Sequence, residues 1–173
     1  AYLAERLGAP AWTDNDATCA AGAELAFGAG RGLRSFLLLT VGTGIGGGLV
    51  LGGRVWRGVR GFAGEIGHVS IDPEGPPCPC GARGCLEQYA AGPAIVRAWK
   101  AGAGARAGDA DSPAEVAHLA RAGDPAALEA FAGAGRALGQ ALGGVLNLLD
   151  IEAFVLGGGV AEAGEMLIGS VRS

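Results

Sequence analysis

Four residues of the 173-residue chain are of metal-holding types at a spacing that suits a single ion. They are His68, Cys78, Cys80 and Cys85, in the pattern His-x9-Cys-x-Cys-x4-Cys. One neutral imidazole with three thiolates makes a tetrahedral zinc set. All four positions are then filled, so the metal would be structural, closed to water and not the reaction centre. Gly81 and Gly84 permit the turns between the ligands. Three free thiols in a reducing compartment are one alternative. An iron–sulfur cluster is another, though less suited to one imidazole and three thiolates at this spacing. Cys19 is left over, and its small-residue surroundings predict a packed thiol.

Two glycine-rich runs offer backbone N–H groups to an anion. Val41-Gly42-Thr43-Gly44-Ile45-Gly46-Gly47-Gly48 lies between two apolar segments. With no Cβ in the way, such a turn forms a nest for phosphate, and Thr43 adds a hydroxyl. No Gly-Lys-Ser/Thr follows, and a strand follows where a dinucleotide fingerprint needs a helix. The alternative is a tight hairpin with bulges. Gly157-Gly158-Gly159 follows a strand and opens a helix, where a nucleotide could rest against backbone; a plain turn is its alternative. Four carboxylates lie near these runs: Asp14, Asp16, Glu65 and Glu87. Asn15-Asp16 sits at a strand-to-helix junction, where it either caps the helix or presents an amide and a carboxylate to a cleft. A metal at His68 and Cys85 would draw the segments of Glu65 and Glu87 together. Several carboxylates with an imidazole suit a polyhydroxylated ligand such as a sugar, although each Glu taken alone reads more readily as a surface or cap residue. His118 lies far from every motif and receives no role. Trp12, Trp56 and Trp99 do not cluster and read as packing residues.

The elements that position these groups follow from periodicity and breakers. Residues 2–7 read as the end of a helix stopped by Gly8 and Pro10. Residues 11–13 read as a short strand, and 17–27 as a helix capped by Asn15 or Asp16. Phe36 to Val41 is a buried strand, 45–51 a second, and Gly52-Gly53 a tight hairpin into 54–56. Residues 72–84 are too rich in Pro and Cys for regular structure. Short helices are expected at 85–91 and 93–100, then a Gly/Ala linker over 101–111. Ser112-Pro113-Ala114-Glu115 is a capping box with Pro at the first helical position. It starts one helix to about residue 122, and Asp124-Pro125 starts a long one to 149. A strand at 151–156 and a final helix from 160 complete an α/β pattern with a mixed sheet.

Composition removes several classes. The chain carries 34 Gly and 35 Ala, yet the glycines have no three-residue period, which excludes collagen. They sit beside long apolar runs, which excludes a flexible linker. Net charge is −4, and Lys100 is the only lysine among 13 basic residues, so no nucleic-acid footprint is expected within this chain. The apolar stretch from Phe36 to Leu51 is broken by glycines and too short to span a bilayer. The start lacks a basic segment followed by an apolar one, so no secretory signal is read there. The absence of an initial Met and a last residue inside a helical segment suggest a piece of a longer chain.

The run Gly64-Glu65-Ile66-Gly67-His68 through Cys78-Pro79-Cys80-Gly81-Ala82-Arg83-Gly84-Cys85-Leu86-Glu87, taken with Asn15-Asp16 and both glycine runs, resembles the ROK family of bacterial sugar kinases and sugar-responsive repressors. The resemblance extends from Asn15 to Gly159. Within it, Cys85-Leu86-Glu87-Gln88-Tyr89-Ala90-Ala91-Gly92 is similar to the glucokinase version. It implies an α/β fold of the actin-like ATPase (ribonuclease H-like) type, with a mixed sheet, packed helices and a zinc-bound loop over 68–85. Residues 1–29 would be the remnant of a small N-terminal lobe, and 30–173 most of a large C-terminal lobe. By position, Asn15 resembles the sugar-binding asparagine and Asp16 the catalytic base. Glu65, His68 and Glu87 match sugar contacts, Gly42, Thr43 and Gly44 the second phosphate loop, and Gly157, Gly158 and Gly159 the adenosine segment. The implied activity is ATP-dependent phosphorylation of a hexose at its 6-hydroxyl, glucose first, with Mg2+ accompanying ATP and structural Zn2+. The implied setting is the cytoplasm, as a homodimer or larger homo-oligomer. N-acetylmannosamine, N-acetylglucosamine and fructose are alternative substrates, and a sugar-sensing repressor domain is the alternative function. Three departures stand out. The family's first phosphate loop is absent from these residues, Thr18 replaces an Asn, and Ala91 replaces a Ser. The first implies that residues 1–173 alone have little kinase activity.

Overall fold

The computed structural model describes residues 2–106 and 108–172. The sheet is built around β1 (Phe36–Val41), buried at every position but Thr40. Its near-continuous apolar run is that of a strand covered on both faces. β1 pairs antiparallel with β2 (Ile45–Leu51), in register from Phe36↔Val50 to Val41↔Ile45. β2 pairs antiparallel with β3 (Arg54–Trp56), across the expected Gly52-Gly53 turn. On its other side β1 pairs parallel with β4 (Ala153–Gly157), giving the order β3-β2-β1-β4. The mixed sheet is as expected.

Alternation along β1 distributes its side chains between two helical layers. α1 (Tyr2–Leu7) buries nothing, whereas α2 (Asp16–Phe27) covers one face. Ala21 of α2 packs with Phe36, Leu38 and Val50. The opposite face carries Leu37, Leu39 and Val41 into a larger core. That core is closed by α3 (Glu87–Ala90), α4 (Gly92–Ala103), α5 (Pro113–Arg121), α6 (Pro125–Leu149) and α7 (Glu165–Val171). α6 runs through its centre with Phe131 and Leu138 fully buried, each such side chain contributing about 1.5–3 kcal/mol. Asp124 caps α6 by accepting from the Ala127 N–H at 2.7 Å. Ser112 and Glu115 form the expected capping box on α5. No helix among the described residues is long and apolar enough to cross a membrane.

Four expectations are corrected. Residues 11–13 form no strand, since nothing among the described residues pairs with them, and Trp12 is 86% exposed. Trp56, on the edge strand β3, is also exposed, whereas Trp99 is buried as expected. Cys19 is exposed, because the small residues that suggested packing, Ala17 and Ala21, occupy the sheet-facing side of α2. The segment 101–111 is not wholly a linker: α4 continues to Ala103, and a 3-10 turn follows. Buried Trp99 and Ala103 anchor that extension.

Candidate functional site

The metal-type residues converge. His68 ends a one-turn 3-10 helix (Ile66–His68). The chain returns to it through two antiparallel bridges, Ser70↔Cys85 and Pro77↔Arg83. Backbone bonds Leu86 N–H to Val69 O (2.9 Å), Ile71 N–H to Gly84 O (2.9 Å) and Cys78 N–H to Ala82 O (2.9 Å) hold this loop in shape. The ligand atoms of His68, Cys78, Cys80 and Cys85 all lie within 4.8 Å of one another. Cys78 Sγ is 3.6 Å from His68 Nδ1, and Cys80 Sγ is 3.6 Å from Cys85 Sγ. Bonds of about 2.3 Å to sulfur and 2.0–2.1 Å to nitrogen give tetrahedral edges of about 3.6–3.8 Å; the two 3.6 Å separations match such edges, and the donor types suit such an ion. Without a cation the cluster is awkward. Burial, with the neighbouring sulfurs of Cys78 and Cys80, pushes the Cys85 thiol up to about 12. The backbone N–H of Ala82 holds the exposed Cys80 thiol below its ordinary value.

A second site opens where the carboxyl ends of the parallel strands β1 and β4 meet, the position at which open α/β sheets take ligands. It is a cleft of about 400 Å3 lined by Asp16, Thr40, Gly42, Thr43, Gly44, Ile45, Gly46, Glu87 and Gly158. Asp16 reaches it because Asn15 stops the helix just before it: the Asn15 side chain accepts from the Thr18 N–H at 3.0 Å. Such a cap is worth about 1 kcal/mol. Asp16 itself accepts from the Ala17 N–H at 2.8 Å. Asp14, nearby, is committed to an ion pair with Arg57 (2.7 Å), which holds its carboxyl below the usual range.

The loop at the mouth of β1 is open to a ligand. Gly42 N–H donates to Gly44 O at 2.9 Å, and Ile45 N–H donates to Glu87 Oε2 at 3.0 Å. The N–H groups of Thr43 and Gly44 have no acceptor among the described residues, as an anion-binding nest requires. Gly158 also lines the cleft, against Val41. Its φ is +89°, and a Cβ there would collide with the Val41 carbonyl. Only glycine accommodates both features.

The structure therefore brings Asp16, Gly42, Thr43, Gly44, Glu87 and Gly158 to one cleft. Asn15 stands at its edge as the cap, while Glu65 and His68 are exposed on the neighbouring loop and do not line it. Gly157 ends β4, and Gly159 lines a narrower groove with Pro113 and Val160. Three glycines read as part of the phosphate nest act otherwise. Gly46 and Gly48 lie under Ala17 and Ala21 of α2, and Gly47 lies against the Gly64 carbonyl on the metal-loop side. They let the helix bearing Asp16 and the loop bearing Glu65 approach β2 from opposite faces. Thr40 was missed in the sequence; a hydroxyl in an otherwise apolar buried strand was the available signal.

A model of the ROK family matches residues 1–173. The chain belongs to the ROK family. A glucokinase of Streptomyces coelicolor is 37% identical over 180 residues, covering 96% of this chain and 57% of that protein. The xylose repressor of Bacillus spizizenii is 33% identical over 172 residues, covering 99% and 44%. The crystal structure of a ROK family glucokinase from Streptomyces griseus, in complex with glucose and AMPPNP, matches with a TM-score of 0.89 at 38% identity, over 98% of this chain and 59% of that one. This chain thus has the ROK sugar-kinase fold, and it spans 57% of the length of the first of these relatives.

Proposed function

We propose that this ROK chain carries the catalytic carboxylate, second phosphate loop and sugar-reading loop of an ATP-dependent hexose kinase acting on cytoplasmic glucose. The observation that carries the reading is the meeting of Asp16, Glu87 and the free N–H groups of Thr43 and Gly44 in one cleft at the ends of β1 and β4. The glucokinase relatives favour glucose. In this reading residues 1–29 contribute the edge of a small lobe and 30–173 belong to the large one.

The chemistry follows from those groups. Glu87 takes a sugar hydroxyl within the cleft, and Asn15 at its edge, with Glu65 and His68 on the neighbouring loop, are the family-matched contacts for the rest of the sugar. Asp16 accepts the proton of the 6-hydroxyl as that oxygen bonds to the γ-phosphorus and the bond to the ADP oxygen breaks. Such transfers depend on positioning and charge stabilisation more than on covalent help from the protein. Thr43 and Gly44 N–H groups hold phosphate oxygens, and the glycines at 157–159 leave room for the nucleoside. Mg2+ accompanying ATP supplies charge neutralisation. Zinc held by His68, Cys78, Cys80 and Cys85 supplies a structural clamp. Metal on His68 Nδ1 would leave the opposite ring N–H to a sugar hydroxyl, so the clamp would also orient the reading group.

The test is ADP release with a sugar panel, using the protein that carries these residues. Glucose-dependent turnover is expected, and Asp16→Asn should lower it about 10²–10⁴-fold. Variant turnover near wild type would remove Asp16 from the role. The identity to a xylose repressor supports a second reading, a sugar-sensing domain that binds without turnover. Sugar binding with no ADP release at any sugar would favour it.

A further inference from the structure

We infer that Glu87 is a positioning residue that ties sugar occupancy to nucleotide occupancy, holding the phosphate loop with one carboxylate oxygen and taking a sugar hydroxyl with the other. The inference rests on the kinase reading above and extends it.

The two oxygens of Glu87 have different surroundings. Oε2 accepts from the Ile45 N–H at 3.0 Å. A Cβ placed on Gly44 would lie 2.6 Å from the same oxygen, so the loop is shaped around this carboxylate. Oε1 accepts nothing among the described residues, while the side chain is half-buried and lines the cleft. A carboxylate with one oxygen committed to backbone and one bare oxygen in a polar cleft suits a hydroxyl donor.

The position of Glu87 in the chain strengthens the tie. The strut 85–92 is attached at three points. Cys85 belongs to the metal-type cluster, Glu87 holds Ile45, and the Gly92 N–H donates to Gly42 O at 2.8 Å. Both ends of the loop 42–45 therefore hang from one short segment rooted in the metal loop. Thr43 and Gly44, whose N–H groups are free, lie between the two attachments. A hydroxyl bound at Oε1 restricts the Glu87 side chain and with it the Ile45 N–H bond. The ordering then happens before nucleotide arrives, and nucleotide binds more tightly. Linkage makes the effect reciprocal.

The experiment is titration of Mg·AMPPNP by calorimetry, with and without saturating glucose, on the protein carrying these residues and on two variants. In wild type, glucose should tighten AMPPNP binding about fivefold or more. Glu87→Gln keeps an amide oxygen for Ile45 but no longer offers a carboxylate to the sugar. With its own glucose-free AMPPNP affinity as the reference, and at glucose saturating for the variant, the enhancement should fall to about one. Glu87→Ala should lose the enhancement and also weaken AMPPNP alone. Melting temperature and metal content of both variants would be measured alongside, to separate coupling from misfolding. Enhancement retained in both variants would overturn the inference, as would affinity lost by the same factor with and without glucose, which is the mark of mere structural support. Wild type that binds both ligands without enhancement overturns the inference alone. Wild type that binds neither overturns the kinase reading with it.

Discussion

Among the described residues, Thr43 and Gly44 present N–H donors with no acceptor, Glu87 presents a carboxylate with one oxygen bare, and Asp16 lines the same cleft. Open donors and an open acceptor lining one cleft suit a ligand with both hydroxyl and phosphate groups. Glu115 shows the contrast. Its carboxylate accepts from the Ser112 hydroxyl at 2.7 Å and from the N–H groups of Ser112 and Asp111. The Ser112 bond, followed by the two backbone bonds, holds its carboxyl below the ordinary value. A carboxyl depressed in the folded state adds stability above its unfolded pKa, about 4.3. That stability is lost as pH falls through the folded value. Glu115→Ala should therefore lower the melting temperature at neutral pH, and its deficit should shrink as pH drops below about 4.3. A deficit of the same size at pH 3 and pH 7 would contradict this.

Among the elements, the strands β1 to β3 and the helices α5 and α6 were legible. An apolar run between glycine turns, a capping box and an Asp-Pro start each encode their element locally. Residues 11–13 misled because a strand exists only with a neighbour for its ladder, which local pattern cannot supply. The metal cluster was legible from ligand type and spacing. The bond from Glu87 to Ile45 was not, because it joins residues 42 apart with no periodic signal. The division of labour among the glycines was hidden for the same reason: Gly42 and Gly44 serve the loop, whereas Gly46, Gly47 and Gly48 serve packing. Gly48→Ala tests that division. Its Cβ would run into the Ala17 carbonyl and Ala21, so α2 must shift, at about 1–3 kcal/mol. Denaturant unfolding should show that loss. A change below about 0.5 kcal/mol would mean that α2 is not held there. The metal loop makes a separate prediction: protein purified without chelator should carry about one zinc per chain. Chelation should lower the melting temperature and weaken glucose binding together. Less than about half an equivalent would count against a filled structural site.

At the scale of the whole molecule, a sheet with helices on both faces leaves a ligand site at the carboxyl ends of its parallel strands. Here the charges in that cleft are two carboxylates, Asp16 and Glu87, with no basic side chain lining it. A polyphosphate must then be held by backbone N–H groups and an accompanying cation. The wider groove of about 540 Å3 between α4 and α6 is lined mostly by small apolar residues. It offers no comparable set of open donors. Omitting Mg2+ should accordingly abolish measurable AMPPNP binding. The most direct measurement is an amide chemical-shift map of the protein carrying these residues, titrated with Mg·AMPPNP and glucose. The largest nucleotide shifts should fall on Thr43, Gly44, Ile45 and Gly158, and the glucose shifts on Asp16, His68 and Glu87. Shifts that cluster instead along the groove between α4 and α6, leaving the loop 42–45 unmoved, would contradict the account.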